Sequence, residues 1–127
     1  MSLRRPVRVL GCAVLLVSVA ACATAEQPAR TPRPNEVQVY EPTGQEDKWT
    51  FTPHEIAVAK GTAVTFVNRG KELHTVTSDA AGRPFDLSIN TNQTGAITFD
   101  TIGTWTYHCG IHPQMTGVVR VCEGACP

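Results

Sequence analysis

"TWTYHCGIHPQMTGVV", residues 104–119, decides how this chain folds and what it holds. Thr104, Thr106 and His108 alternate with Trp105, Tyr107 and Cys109, the period of two expected of a half-buried strand. At Gly110 the pattern breaks, Pro113 forbids a central strand, and alternation resumes at Val118. The interruption sets Cys109, His112 and Met115, spaced Cys-x-x-His-x-x-Met, on a short loop between two strands. Three side chains with soft or borderline donor atoms therefore share one turn.

Outward from this loop, the chain from Val37 reads as short strands separated by turn signals. "VQVYE", "IAVAKG", "AVTFVN", "LHTVTS", "GAITFD", "TWTYHC" and "GVVRVC" form the series, and no stretch of ten residues carries a 3.6-residue apolar period. Strands packed this closely predict an all-β, two-sheet antiparallel Greek-key sandwich. The long connection 79–94, "DAAGRPFDLSINTNQT", suits a crossover better than a hairpin.

Such a sandwich can bring a fourth donor to the loop. His74, in "NRGKELHTVTSD", starts a strand after a polar turn. Two imidazoles, a thiolate and a thioether make a set that selects copper, with His₂Cys in a plane and a weak axial Met. Structural zinc sites take four strong ligands, often from Cys-x-x-Cys pairs, and this domain has none. With all four positions filled there is no open position for a substrate, so the set predicts one-electron transfer and no enzyme activity. His112, flanked by Ile111 and Pro113, is the expected exit for electrons toward a redox partner protein.

The N-terminus predicts where this happens. Residues 1–21 read as an export signal: Arg4, Arg5 and Arg8 precede the apolar run Val9–Val19. That run is shorter than the roughly 20 residues a membrane-spanning helix needs. It ends in "VAAC", residues 19–22, which resembles the lipobox of bacterial lipoproteins and makes Cys22 the expected lipidation site. Residues 22–36 are Pro-rich and too poor in apolar side chains to fold, a tether for the domain at 37–127. The expected location is the extracytoplasmic, periplasmic side of a bacterial membrane. Formal net charge is zero over all 127 residues; without the signal, 8 basic face 11 acidic side chains, giving −3. Nothing in that balance points to nucleic acid, and a monomer is expected.

The segments "FTPHEIAVAKGTAVTFVN" (51–68) and "GTWTYHCGIHPQM" (103–115) resemble the cupredoxins of the plastocyanin/azurin superfamily, and the ligand loop is similar to that of amicyanin. The likeness spans about residues 37–121. It implies that His74, Cys109, His112 and Met115 ligate one copper ion cycling between Cu(I) and Cu(II). It also implies that Asn68 hydrogen-bonds across to the cysteine loop and holds it in place, whereas His54 and His108 are surface side chains outside the ligand set.

One cysteine pair stands apart from that resemblance. Cys122 and Cys126, in "VCEGACP", are spaced Cys-x-x-x-Cys. Outside the cytoplasm thiols oxidise, and a disulfide accounts for them. The same spacing also suits a copper(I) site, which would make the protein a copper chaperone or buffer instead of a carrier. A multicopper oxidase or nitrite reductase is not expected, because those need more than one such domain.

Overall fold

The computed structural model describes residues 31–127. The expected export signal, Cys22 and the tether as far as residue 30 lie outside the described residues.

Nine strands and one 3₁₀ turn follow in chain order: β1 Glu36–Tyr40, the turn Glu46–Lys48, β2 Thr50–Thr52, β3 Glu55–Ala59, β4 Thr62–Val67, β5 His74–Ser78, β6 Asp86–Ile89, β7 Thr94–Phe99, β8 Gly103–His108 and β9 Thr116–Cys122. They form two sheets, β2-β1-β4-β7 and β3-β9-β8-β5-β6. Alternation in the sequence becomes alternation in burial: Gly117, Val119 and Val121 of β9 face inward while Thr116 and Arg120 face water. The inner faces meet over a core in which Tyr107 packs edge-on against Phe51 and Phe66, at centroid separations of 5.1 and 5.6 Å.

Two expectations need correcting. The sheets are mixed, not purely antiparallel: β1 runs parallel to β4, with Glu36 opposite Thr65, and β3 runs parallel to β9, with Glu55 opposite Val118. Both parallel pairs join strands distant in sequence, which turn signals between consecutive strands do not report. The stretch 79–94 is also not one long crossover. It contains β6, which folds back on β5 with His74 opposite Ile89 before the chain crosses to the other sheet. This four-residue edge strand, "DLSI", is too short and too polar at alternate positions to stand out in the sequence.

For the site, what counts is direction. His74 begins β5, and Cys109 follows the end of β8. Because β5 and β8 are antiparallel neighbours, the start of one and the end of the other lie at the same pole of the sandwich. There β9 also begins, directly after Met115.

Candidate metal centre

His74, Cys109 and His112 converge so that one donor atom from each lies within 4.8 Å of the others. The Cys109 Sγ stands 3.8 Å from Nδ1 of His74 and 3.7 Å from Nδ1 of His112. His74, Cys109 and Met115 are fully buried, and His112 is half-buried. The loop closes on itself: the Met115 N–H donates to the His112 carbonyl and the Cys109 N–H to the Met115 carbonyl, both at 2.9 Å. That closure ties the Met115 backbone to those of Cys109 and His112.

Burial alone would raise the Cys109 thiol. The His74 ring and the N–H groups of Thr75, His112 and Ile111 outweigh it and lower the thiol from its ordinary 9.0 to about 5. Burial would likewise lower His74, but hydrogen bonds and charge from Cys109 and Glu41 reverse this and leave it raised. The site is thus built to hold a thiolate among nitrogen donors, the ionised form a metal requires. A thiolate, two imidazoles and a nearby thioether fit one copper ion.

The two other histidines stay out of the cluster. His54 is exposed, with Nε2 3.3 Å from the Thr116 hydroxyl, and His108 pairs through Nδ1 with Asp79 at 2.5 Å.

Asn68 does not do what the resemblance implies. Its Nδ2 donates to the carbonyls of Glu72 (2.7 Å) and Ile89 (2.9 Å), and its Oδ1 accepts from the Gly70 N–H (2.9 Å). Both Nδ2 protons and the Oδ1 bond go to the turn before His74 and to the end of β6, so the bonds Asn68 makes do not reach the cysteine loop. Thr75 holds that loop instead. Its N–H donates to the Cys109 Sγ at 3.3 Å, and its hydroxyl accepts from the Gly110 N–H at 2.8 Å. The position next to a ligand in a strand was the available signal, since residue 75 must flank residue 74 wherever β5 goes.

The connection between β1 and β2 supplies further residues that sequence reasoning missed. Trp49 packs edge-on against both imidazoles, 4.9 Å from the His112 ring and 5.8 Å from that of His74, with its indole N–H donated to the Pro42 carbonyl. Gln114 of the ligand loop donates to the Glu46 carbonyl at 3.2 Å. The Glu41 carboxylate lies 3.1 Å from Nε2 of His74. Nothing in the spacing of "EPTGQEDKWT" ties it to a site some thirty to seventy residues away.

The family model of the cupredoxin-like domain matches residues 12–121. The chain belongs to that family. Among curated proteins, this cupredoxin is 34% identical over 90 residues to the chloroplastic plastocyanin of Physcomitrium patens, covering 61% of its own length and 54% of the relative's. The chain thus spans about half the length of the curated relative it matches. Among solved structures it is similar to a purple cupredoxin from Nitrosopumilus maritimus (25% identity, TM-score 0.59, 68% of this chain and 98% of that one). It is also similar to a mutant of amicyanin in its Cu(I) form (27%, TM-score 0.57, 75% and 95%). A third likeness is to the copper-containing nitrite reductase of Thermus scotoductus SA-01 (28%, TM-score 0.57), where the match covers 76% of this chain and 24% of that one. Family, fold and donor set together support a copper-binding cupredoxin.

Proposed function

We propose that this cupredoxin carries single electrons between redox partners at the outer face of a membrane. In this reading one copper ion is held by His74, Cys109, His112 and Met115, a lipid on Cys22 tethers the chain, and no bond-making step is catalysed. The observation that carries the reading is the convergence of the His74, Cys109 and His112 donor atoms within 4.8 Å of one another, beside a buried Met115. Copper cycling between Cu(I) and Cu(II) supplies the one-electron chemistry.

The chain's own part is to hold the donors still. Thr75 fixes the Cys109 sulfur and the Gly110 backbone, and the 109–115 loop is stitched by its own backbone bonds. Trp49 braces both rings from one side. Donors held in one arrangement reorganise little when charge changes. Leu73 and Ile111, both exposed, each precede a ligand histidine and offer apolar surface suited to brief docking.

The chaperone alternative draws on Cys122 and Cys126, which the structure joins as a disulfide. A disulfide offers no thiolate to copper(I). The pair also lies at the far end of β9, about 20 Å from the ligand loop at about 3.3 Å per residue, so it is remote from the donor cluster.

The test is the visible spectrum of the copper-loaded soluble domain. Wild type should show intense thiolate-to-copper charge transfer, which Cys109→Ser removes and His54→Ala and His108→Ala retain. A wild-type-like spectrum from the serine variant would overturn the ligand assignment.

A further inference from the structure

Glu41 is buried against the metal centre, yet it belongs neither to the strand that carries His74 nor to the loop that carries the other donors. Its side chain is 6% exposed and that of His74 is 0% exposed, with Oε2 and Nε2 3.1 Å apart. The carboxylate does not depend on the histidine for its placement. It also accepts from the Lys71 N–H, at 3.0 and 3.1 Å to its two oxygens, and from the Glu72 N–H at 3.3 Å. Two backbone N–H groups besides the histidine converge on the carboxylate and fix its orientation.

Gly70 makes the room. A Cβ at this position would lie 1.9 Å from the Glu41 Oε2 and 2.6 Å from its Cδ, far inside van der Waals contact. Gly70 is not among the glycines with positive φ, so its backbone conformation does not require glycine. The space taken by the carboxylate does. Asn68 completes the clamp by accepting from the Gly70 N–H and donating to the Glu72 carbonyl.

An ionised carboxylate can only accept, so the proton on the distal nitrogen of a neutral His74 ring sits on Nε2, and the lone pair is on Nδ1, the atom facing Cys109. A metal-binding histidine is commonly held by such an outer partner, which fixes the tautomer and raises the ring's basicity. We propose that Glu41 is the positioning residue of this centre, setting the tautomer and ring orientation of His74, and that Gly70 exists to admit it. The inference rests on reading His74 as a copper ligand. It extends that reading to a residue delivered from the β1–β2 connection, and so couples that connection to the metal centre. A more basic His74 favours Cu(II), so Glu41 holds the reduction potential down.

The experiment compares Glu41→Ala, Glu41→Gln, Gly70→Ala and the double variant Glu41→Ala/Gly70→Ala with the wild-type chain. In the metal-free protein at alkaline pH, where the His74 ring is neutral, nitrogen–proton correlation spectra should show a single Nε2–H tautomer in wild type and mixed tautomers in Glu41→Ala. Copper-loaded Glu41→Ala should have a higher reduction potential and an affinity lower by about 10–100-fold. Glu41→Gln, which retains an acceptor oxygen, should recover part of both and keep the fold should the alanine variant unfold. Gly70→Ala should reproduce the Glu41→Ala phenotype, and the double variant should be no worse than either single one. An unchanged tautomer and potential in Glu41→Ala, or additive losses in the double variant, would overturn the proposal. Were wild type to lack the charge-transfer band, the ligand reading would fail, while the tautomer measurement on metal-free protein would still decide the role of Glu41.

Discussion

Gly117→Ala is the most demanding test of how the core supports the metal centre. Gly117 stands directly opposite Tyr107 across the β8–β9 ladder. A Cβ there would lie 2.2 Å from the tyrosine Cζ and hydroxyl oxygen and 2.7 Å from Cε2. Ordinary contact begins at 3.4 Å, so the ring would have to retreat by more than an ångström. It has nowhere to go, being fully buried with Phe51 and Phe66 at centroid distances of 5.1 and 5.6 Å. Inserting atoms into a packed core costs about 1–3 kcal/mol, and the upper end applies where neighbours are rings wedged from two sides. Replacing a strand glycine by alanine returns about 0.5–1 kcal/mol of unfolded-state entropy. The net is a loss of about 2 kcal/mol, a fall in Tm of about 8–16 °C for a domain of this size.

The assay is thermal and urea unfolding of Gly117→Ala beside Tyr107→Leu and the double variant. Leucine vacates the space that the new Cβ needs, so the double variant should be more stable than the sum of the single losses predicts. Gly124→Ala is the control, since nothing lies within 4 Å of its Cβ, and it should stay within about 0.5 kcal/mol of wild type. Because Gly117 follows Met115 by two residues, strain there should also shift the visible spectrum. A Gly117→Ala protein melting with wild type, or zero coupling with Tyr107→Leu, would refute the packing argument.

Three further outcomes are expected. Thr75→Val keeps the shape but leaves the Gly110 N–H without its acceptor; it should cost about 1–2 kcal/mol in urea unfolding, and an unchanged midpoint would show that the loop is anchored elsewhere. In the metal-free protein the ultraviolet absorbance of the Cys109 thiolate should persist to acid pH and vanish on crossing about 5. The folded value lies below the ordinary 9.0, so this group's contribution to stability grows with pH across that interval and is lost as pH falls through about 5. His74 acts in the opposite sense, contributing below 6.5 and losing its contribution as pH rises through its raised value, so the thiolate band, not stability alone, separates the two. Finally, on the proposal that Cys22 carries the lipid, Cys22→Ala should move the protein from the membrane to the soluble fraction; a membrane-bound alanine variant would sink the tether.

Legibility in the sequence followed the range of the interactions. Cys109, His112 and Met115 could be singled out because one loop carries all three at fixed spacing, and the seven regular strands because each alternates over five residues or more. β2 and β6 escaped notice because three or four residues carry too little periodicity to separate a strand from a turn. The parallel pairings escaped because register between Glu55 and Val118 is fixed by packing across the whole sandwich. Asn68 meets other partners than the resemblance implies for a related reason. A side-chain amide takes whichever backbone groups the turn presents, and here Glu72, Gly70 and Ile89 present them first.

The same distinction explains how one donor set becomes an individual protein. The four candidate ligands come from β5 and the 109–115 loop, but part of their surroundings comes from residues 41–49, which touch the centre at Glu41, Trp49 and the Glu46 carbonyl. Those contacts constrain different things. Glu41 acts on a buried ring through a hydrogen bond, so it bears on the electron density of the site. Trp49 acts on the half-buried His112 by edge-on packing, so it bears on which side of that ring a partner can approach. With Trp49 against His112 and the other three donors buried, the side bordered by Ile111 and Pro113 is the route left to the surface. On the proposed reading, a single connection bears both on how tightly the centre holds its electron, through Glu41, and on where His112 passes it on, through Trp49, so either property can change while the ligand loop stays constant.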